Sequence, residues 1–411
     1  MTVSSTAPTE QIPVVAKKRL LGIDAARGIA LLGMMAVHSL IAVGDDGSPT
    51  LSYSIAAGRS SALFAVLAGV GIAFTTGRAR VRRENPGATA ASLAARAAVV
   101  GAIGLAMGYG EPELAVVILP YYAILFLLAI PLVFLPTRVV AAVGVGIALA
   151  VPVLIEWLSS ALPEPSLDNV TFVGIIENPV GWMVELLFNG EFPALPWMAY
   201  MCAGIVIGRL RLTSANVAGV LLVIGSALAV GARILAEVLL FHLGGLEQIM
   251  ASGDLSREEV RDIIAYGADG SVFGSTWWWL AVDGPHSSTP LDLLGTVGSS
   301  MAVIGAALFL GHLTGNRLAR MVNIVMVPLA AAGSMTLTLY VLHIWFINSN
   351  YDIYSAWAGY ILQVLAALGI GLFVRLTAGR GPLEAFVTMV ANRSSRAVTD
   401  SASKTTAAER E

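Results

Sequence analysis

Residues 20–40 read LLGIDAARGIALLGMMAVHSL, and this stretch decides the fold class of the chain. It is apolar over nearly its whole length and follows directly on the basic cluster Lys17, Lys18 and Arg19. A helix of about 20 such residues crosses the roughly 30 Å of hydrocarbon in a bilayer. A cleaved signal peptide has a shorter apolar core and a small-residue cleavage site. The stretch is therefore predicted to be an uncleaved first transmembrane helix.

Similar apolar stretches recur along the rest of the chain, which has 411 residues, of which 56% are hydrophobic and only 12% charged. A soluble domain usually carries about 25% charged residues, so this composition excludes water as the main solvent. We predict an all-α integral membrane protein of about ten transmembrane helices. The predicted spans are residues 21–43, 57–77, 93–110, 114–135, 138–158, 194–210, 215–241, 291–312, 323–347 and 355–376.

Basic residues collect at every second junction between these spans, and short cytoplasmic loops are enriched in Lys and Arg. Both termini are therefore predicted to be cytoplasmic. Two long loops, residues 159–193 and 242–290, lie at alternate junctions and are assigned to the outer face. The predicted domains are a cytoplasmic segment, residues 1–19, a membrane domain, residues 20–390, and a disordered cytoplasmic tail, residues 391–411, rich in Ser, Ala and Thr.

Two local patterns concern the outer face. Ser256 followed by Glu259 is a capping-box signature, and Gly267 can end the amphipathic run that follows, which predicts a short external helix. Arg233 and Glu237, in the seventh span, are four residues apart on a helix and are predicted to pair with each other.

The first span carries a stripe of polar side chains: Asp24, Arg27 and His38. Ionisable side chains inside a membrane span are costly and usually face a cavity or a partner. The step from Arg27 to His38 comes within about 20° of three full helical turns and rises about 16 Å, and Asp24 lies on the same face. Such a stripe suits a pore that a donor enters from one side and an acceptor from the other. An inner ion pair with a separate histidine at the outer interface explains the same residues, and geometry alone leaves both interpretations open.

Other polar residues are predicted near the outer face. Arg59 opens the second span there, against the positive-inside bias, and could hold an anionic group or simply extend to the interface. Tyr340 and His343 share a face of the ninth span, and His286 lies in the loop before the eighth. Histidine suits proton transfer because its unperturbed pKa is about 6.5, although a structural role for His286 and His343 stays open.

The sequence also limits which cofactors and partners are expected. Arg78, Arg80, Arg82 and Arg83 are first a topology signal, and they could also bind the phosphates of a cytosolic nucleotide donor. No metal site is predicted, because no two histidines lie three or four residues apart with a carboxylate partner and Cys202 is the single cysteine. The net charge of -3 gives no basic surface for nucleic acid. The sequence has no Walker loop or dinucleotide fingerprint, which disfavours ATP-driven transport and nicotinamide chemistry.

Residues 19–38, with Asp24, Arg27, Gly28 and His38, resemble the opening helix of the transmembrane acyltransferase superfamily. This group includes the heparan-alpha-glucosaminide N-acetyltransferases and bacterial O-acyltransferases of envelope polysaccharides. In the latter, an arginine or lysine followed after ten residues by a histidine marks the first helix, and Arg27 with His38 has this spacing. Further similarity lies in residues 63–69 (LFAVLAG), 192–208, 286–295 (HSSTPLDLLG) and 381–384 (GPLE).

The resemblance implies transfer of an acyl group, expected to be acetyl, from cytosolic acyl-CoA to a hydroxyl or amine beyond the membrane. The acceptor would be a glycan, glycolipid or other cell-envelope substrate. His38 would be the base or a transient acyl carrier, and Arg27 would orient the donor or the helix. In the heparan acetyltransferases the working histidine lies in the loop after the first helix, but residues 44–56 here contain none. Either His38 takes that role or this branch has lost the activity.

We therefore predict a multi-pass acyltransferase of the bacterial plasma membrane, dependent on acyl-CoA and without a metal. Membrane lipids and the acceptor are the expected partners, and small residues that permit close helix packing leave a homo-oligomer open. The alternatives are a permease or lipid flippase that uses the polar stripe as a substrate path, and a scaffold within an envelope complex. The predicted site comprises His38, Arg27 and Asp24 as catalytic residues, and Arg59, His286, Tyr340 and His343 towards the substrate.

Overall fold

The computed structural model describes residues 20–78, 80–81, 86–166, 168–253, 255–267, 276–313 and 317–408. Across these residues the regular structure is helical, with no β-sheet and a single isolated bridge between Val43 and Pro49. Seven of the helices described there are long and apolar enough to cross a membrane, or up to nine spans when each bent helix pair counts as one. The all-α prediction is therefore confirmed, and the chain is a multi-pass membrane protein.

The helices are numbered in chain order. Short 3-10 or π turns follow α6, α8 and α10, and a further 3-10 helix covers Trp277–Ala281. The α-helices are α1 Leu21–Ser39, α2 Leu51–Ala56, α3 Arg59–Thr75, α4 Pro86–Met107, α5 Leu119–Leu132, α6 Thr137–Leu158, α7 Phe172–Glu177, α8 Pro179–Val184, α9 Ala194–Arg209, α10 Ala215–Glu237, α11 Gly245–Ser252, α12 Arg257–Tyr266, α13 Pro290–Gly311, α14 Arg317–Gly333, α15 Thr336–Ile347, α16 Ala356–Thr377 and α17 Pro382–Ala408.

The number of candidate spans falls below the ten predicted. Residues 114–135 form only the 14-residue helix α5, which has Pro120 in its first turn and Pro131 near its end. Proline is favoured at a helix start and disfavoured in its interior, so this apolar stretch makes a shorter helix than its hydrophobicity suggests. Residues 323–347 are two helices, α14 and α15, bent by 79°. Helix α9 is likewise preceded by a helical segment, Pro179–Asn189, at 50° to it.

Helix α1 occupies the centre of the bundle, where it packs against α3, α13, α14, α15 and α16. Its contact with α14 depends on glycine. A Cβ on Gly28 would lie 2.2 Å from the carbonyl oxygen of Leu329, and a Cβ on Gly333 would lie 1.8 Å from that of Asp24. Such close backbone approach is typical of helix pairs in membranes. It fixes the Asp24 end of α1 beside the bend between α14 and α15.

The first turn of α15 is held by a carboxylate from α17. Glu384 accepts hydrogen bonds from the backbone nitrogen of Thr338 at 3.1 Å and from its hydroxyl at 2.7 Å. Backbone N–H groups in the first helical turn lack partners within the helix, and a carboxylate there satisfies them. The GPLE stretch at residues 381–384 thus positions the helix that carries Tyr340 and His343.

The HSSTPLDLLG stretch begins α13. The Thr289 hydroxyl accepts a hydrogen bond from the backbone nitrogen of Asp292 at 3.2 Å, and the Asp292 carboxylate accepts one from the backbone nitrogen of Ser288 at 3.0 Å. Pro290 follows as the first helical residue, where its missing N–H costs nothing. This cap fixes His286 in the loop immediately before the helix.

The second long loop is folded over one end of the bundle. The predicted capping box is confirmed, because Ser256 and Glu259 satisfy each other's backbone nitrogens at the start of α12. Gly267 ends that helix with a φ of 91°. Trp279 and Val260 are buried in a small satellite core between this loop and the end of α10.

Two local expectations are corrected. Arg233 does not pair with Glu237, which is exposed; its guanidinium contacts both carboxylate oxygens of Asp283, at 2.8 and 3.0 Å, because the loop brings Asp283 over α10. The tail expected to be disordered from residue 391 is helical to Ala408. Val387 and Ala391 bury their side chains as α17 packs along α4, and this packing stabilises the helix.

Candidate functional site

A cavity of about 600 Å³ lies within the bundle beside α1, between α3, α4, α5, α15 and α17. We call it the arginine cavity, because Arg27, Arg96 and Arg380 line it from three different segments of the chain. Arg27 also donates to Asp24 at 3.3 Å and keeps 27% of its side chain exposed. Other polar residues of the lining are Thr75, Ser92, Ser334, Thr336, Glu384, Thr388 and Asn392.

The donor set and the size of this cavity fit a phosphorylated ligand. Small-molecule sites typically have volumes of about 300–1,000 Å³. Guanidinium groups are preferred partners of phosphate because they donate paired, charge-assisted hydrogen bonds. The rest of the lining is largely apolar, with Phe64, Leu67 and Phe126 among its members. The arginine cavity can therefore hold a ligand that combines phosphates with a long, less polar arm.

A second, smaller cavity adjoins the first. It has about 40 Å³, room for a few water-sized groups, and we call it the histidine pocket because His38 and His286 both line it. Met34, Ile118 and Tyr340 line both cavities, so these three residues form the junction between them. Arg27, Met34 and His38 thus lie along one side of α1, as the stripe prediction requires.

The ring of His38 begins a chain of hydrogen bonds. Its Nδ1 lies 2.9 Å from Nε2 of His343, and Nδ1 of His343 lies 2.5 Å from Oε1 of Gln363. The Gln363 amide nitrogen donates onward to the Ser39 hydroxyl at 3.1 Å. His343 and Gln363 are buried, 3% and 7% exposed. The structure therefore brings together two histidines that the sequence separates by 305 positions.

These hydrogen bonds fix which nitrogen of the neutral His38 ring carries the proton. Oε1 of Gln363 faces Nδ1 of His343, and a carbonyl oxygen can only accept a hydrogen bond. Nδ1 of neutral His343 therefore carries the proton. Nε2 of His343 is then the acceptor, and His38 must donate through Nδ1. The lone pair of His38 is left on Nε2, which is the nitrogen a general base or nucleophile needs. The arrangement corresponds to that of a catalytic histidine oriented through Nδ1 by a third group.

His286 enters the histidine pocket from the loop before α13. Its ring stacks parallel to Trp197 at a centroid distance of 6.2 Å and edge-on to Phe192 at 5.1 Å. Its Nδ1 is buried without a hydrogen-bond partner and lies 3.9 Å from Oε1 of Glu191. Burial lowers the pKa of His286 to about 4, so the ring is neutral near neutral pH.

The other two residues predicted to lie towards the substrate, Tyr340 and Arg59, are found in different places. Tyr340 is buried at the junction, and its hydroxyl accepts from the backbone nitrogen of Ile118 at 3.4 Å. Arg59 is not brought to the histidines. It donates to the carbonyl oxygen of Ser54 and lines a separate cavity of about 480 Å³ with Arg233 and other residues.

The arginines assigned from sequence to a nucleotide donor lie elsewhere. The Arg78 guanidinium sits over the Phe74 ring, 4.3 Å from its centroid, and Arg80 donates to the carbonyl oxygen of Phe134 at 2.8 Å. Arg82 and Arg83 fall outside the described residues. A donor role for this group stays a prediction.

Sequence reasoning missed Arg96, Arg380 and Gln363 as site residues. Arg96 and Gln363 both lie within predicted spans, where a polar side chain by default suggests a site, so this signal was available for both. Arg380 lies in a basic junction and reads only as a topology signal. Nothing local in the sequence indicates that it lines the same cavity as Arg27.

The family described as heparan-alpha-glucosaminide N-acetyltransferase, catalytic, matches residues 19–236, more than half of the 411-residue chain. The match includes Arg27, His38 and Arg96, whereas His286 and His343 lie beyond it. No curated protein matches the sequence. The chain belongs to the heparan-alpha-glucosaminide N-acetyltransferase catalytic family.

Proposed function

We propose that this protein is a membrane acetyltransferase that moves an acetyl group from acetyl-CoA on one side of the membrane to an amine or hydroxyl on the other. Family membership supports both acetyl transfer and acetyl-CoA as the donor. One observation carries the proposal: the arginine cavity and the histidine pocket meet at Met34, Ile118 and Tyr340. A site suited to phosphates is thereby joined to a histidine whose Nε2 lone pair is free.

The donor binds in the arginine cavity. Arg27, Arg96 and Arg380 contact the phosphates of CoA, and the pantetheine arm follows the apolar lining towards the junction. The rise of about 16 Å from Arg27 to His38 leaves this distance for the arm. We assign the arginine cavity to the cytoplasmic side and the histidine pocket to the outer side. The concentration of Lys and Arg at alternate junctions, including residues 78–83 and 375–380, supports this orientation.

His38 acts at the thioester. Its Nε2 either takes the proton of the acceptor or receives the acetyl group itself, and both routes release the CoA thiol and an acetylated acceptor. His343 and Gln363 are positioning residues that hold the proton on Nδ1 of His38. The Tyr340 hydroxyl lies at the junction and can donate to the carbonyl oxygen as negative charge develops on it.

The acceptor is proposed to be an amine or hydroxyl of a glycan, glycolipid or other cell-envelope component at the outer face of a bacterial plasma membrane. The family description supports an amine. The second long loop lies over the end of the bundle that holds the histidine pocket, and it supplies His286 to that pocket. This position supports an acceptor that reaches the pocket from the same end.

A permease or flippase is the rival function, because two joined cavities also form a path. A transporter would have to move its whole cargo past the junction. The histidine pocket of about 40 Å³ is far smaller than the arginine cavity of about 600 Å³, and this difference supports transfer of a small group over passage of the ligand.

Binding of acetyl-CoA to the detergent-purified protein, measured by calorimetry, tests the proposal. A hydrogen bond to a charged group contributes about 1.5–3 kcal/mol, so Arg27→Ala and Arg96→Ala are each expected to weaken binding about ten- to a hundred-fold. His38→Gln should bind normally, because it acts after binding. Arg138→Ala, at an exposed arginine outside both cavities, is the matched control. The absence of saturable binding to any CoA thioester would overturn the proposal in favour of the permease.

A further inference from the structure

The loop that carries His286 is conformationally unusual. His286 has a φ of 59° and Ser288 a φ of 52°, both in the left-handed region that favours glycine. Backbone in this region costs about 1–3 kcal/mol for other residues and persists only where surrounding contacts enforce it. Here the cap at Asp292 and a hydrogen bond of 3.2 Å from Trp197 Nε1 to the Ser288 hydroxyl enforce it. The strained turn directs the imidazole into the histidine pocket.

Burial of the His286 imidazole in this position costs free energy. Its Nδ1 is buried without a hydrogen-bond partner, and an unsatisfied buried polar atom costs about 1–3 kcal/mol. A residue that only filled the space against Trp197 and Phe192 would be better apolar. The chain instead holds a basic nitrogen at the wall of the small cavity that His38 also lines.

Glu191 supplies the charge that a proton on His286 would require. Its Oε1 lies 3.9 Å from Nδ1 of His286, too far for a hydrogen bond and close enough for an ion pair. The neutral ring gains little from this carboxylate. Once protonated, the ring would be attracted to it, so Glu191 favours the imidazolium that a general base forms when it acts.

We propose that His286, supported by Glu191, is the base that takes the proton from the acceptor nucleophile, an assignment that rests on the proposed acetyltransferase function. His38 then acts on the acetyl donor, and the two histidines act from the same pocket. The acceptor nitrogen or oxygen bonds to the acetyl carbon while its proton passes to His286. The bond from the acetyl carbon to the CoA sulfur, or to Nε2 of an acetylated His38, breaks. The proton held by His286 returns to that leaving group, which balances the reaction.

Chemical rescue tests this assignment with acetyl-CoA as donor and glucosamine as the acceptor probe. His286→Ala is expected to lower the transfer rate about 10²–10⁴-fold, the usual contribution of a general base. Added imidazole should restore activity in a saturable manner, whereas pyrrole, a ring of the same size without a basic nitrogen, should not. Glu191→Gln should lower the rate constant by a smaller factor and leave the Michaelis constant for acetyl-CoA unchanged.

Controls separate folding from catalysis. His312 bonds through both ring nitrogens to backbone carbonyls and lines neither cavity, so His312→Ala should keep its transfer rate. Calorimetry with acetyl-CoA reports whether each variant is folded, and His286→Gln is the second variant should His286→Ala not fold. If the wild type is active and the His286 variants keep its rate, or pyrrole restores them as well as imidazole does, the role of His286 is wrong while the proposed function stands. A wild type that transfers no acetyl group to glucosamine overturns the proposed function and the inference with it.

Discussion

The tautomer of His38 depends on residues far from it in the sequence. Its Nδ1 is engaged by His343, whose other nitrogen is engaged by Gln363, and this order of donors and acceptors leaves Nε2 of His38 unprotonated. The sequence indicates that His38 lies on the same side of α1 as Arg27, because helical periodicity is local. It cannot indicate the hydrogen bond to His343, since that contact depends on how α15 packs against α1.

Removing the Gln363 acceptor tests this chain. Gln363→Met keeps the side-chain length and abolishes the hydrogen bond to His343, so the tautomer of His38 is no longer fixed. We expect the rate constant of acetyl transfer to fall about 10–100-fold, by analogy with the loss of hydrogen-bond partners from metal-binding histidines. Ser39→Ala leaves the Gln363 to His343 bond in place and should have little effect. A normal rate in Gln363→Met would contradict the assigned role of the chain.

His286 should also make the stability of the protein depend on pH. Burial lowers the pKa of His286 to about 4, below the value of about 6.5 for a histidine in the unfolded chain. Between these two values the unfolded state binds the proton more strongly, so stability is lost as pH falls from about 6.5 towards about 4. Thermal unfolding of His286→Gln in detergent should lose this part of the pH dependence. An unchanged pH profile would show that the ring is not buried as described.

At the level of helices, the sequence predicts where apolar stretches lie better than how they are broken. The predicted start of α1 agrees with the structure, because a basic cluster followed by a long apolar stretch marks it, whereas the helix ends at Ser39 rather than at the predicted residue 43. The bend after Gly333 is not evident from hydropathy, because α14 and α15 read as one apolar stretch. It follows from the contact between Gly333 and the backbone of Asp24, and from the cap that Glu384 places on α15.

A pair of glycine substitutions tests the role of this contact. Gly333→Ala would place a methyl group against the Asp24 carbonyl oxygen, and overpacking of this kind costs about 1–3 kcal/mol. Gly369→Ala, in α16, has no atom within 4 Å of the added Cβ and should be neutral or stabilising by about 0.5–1 kcal/mol. Thermal unfolding in detergent measures both. Equal effects of the two substitutions would contradict the close approach of α1 and α14.

The whole molecule combines two sites that lie at different depths of the bundle. The arginine cavity reaches Arg380, just before α17, and the histidine pocket reaches the loop before α13. Only the packed bundle brings Arg27, Arg96 and Arg380 to one cavity, because they belong to three separate parts of the chain. This explains why the sequence indicates half of the site, on α1, and leaves the rest to the structure.

Transfer of the acetyl group across the membrane through His38 can be measured in sealed vesicles, where donor and acceptor are kept on opposite sides. The protein is reconstituted with glucosamine trapped inside, and labelled acetyl-CoA is added outside only. Wild-type protein should acetylate the trapped glucosamine, and His38→Gln should lower that rate about 10²–10⁴-fold while binding acetyl-CoA normally. Transfer that requires donor and acceptor on the same side, or that survives His38→Gln unchanged, would contradict transfer across the membrane through His38.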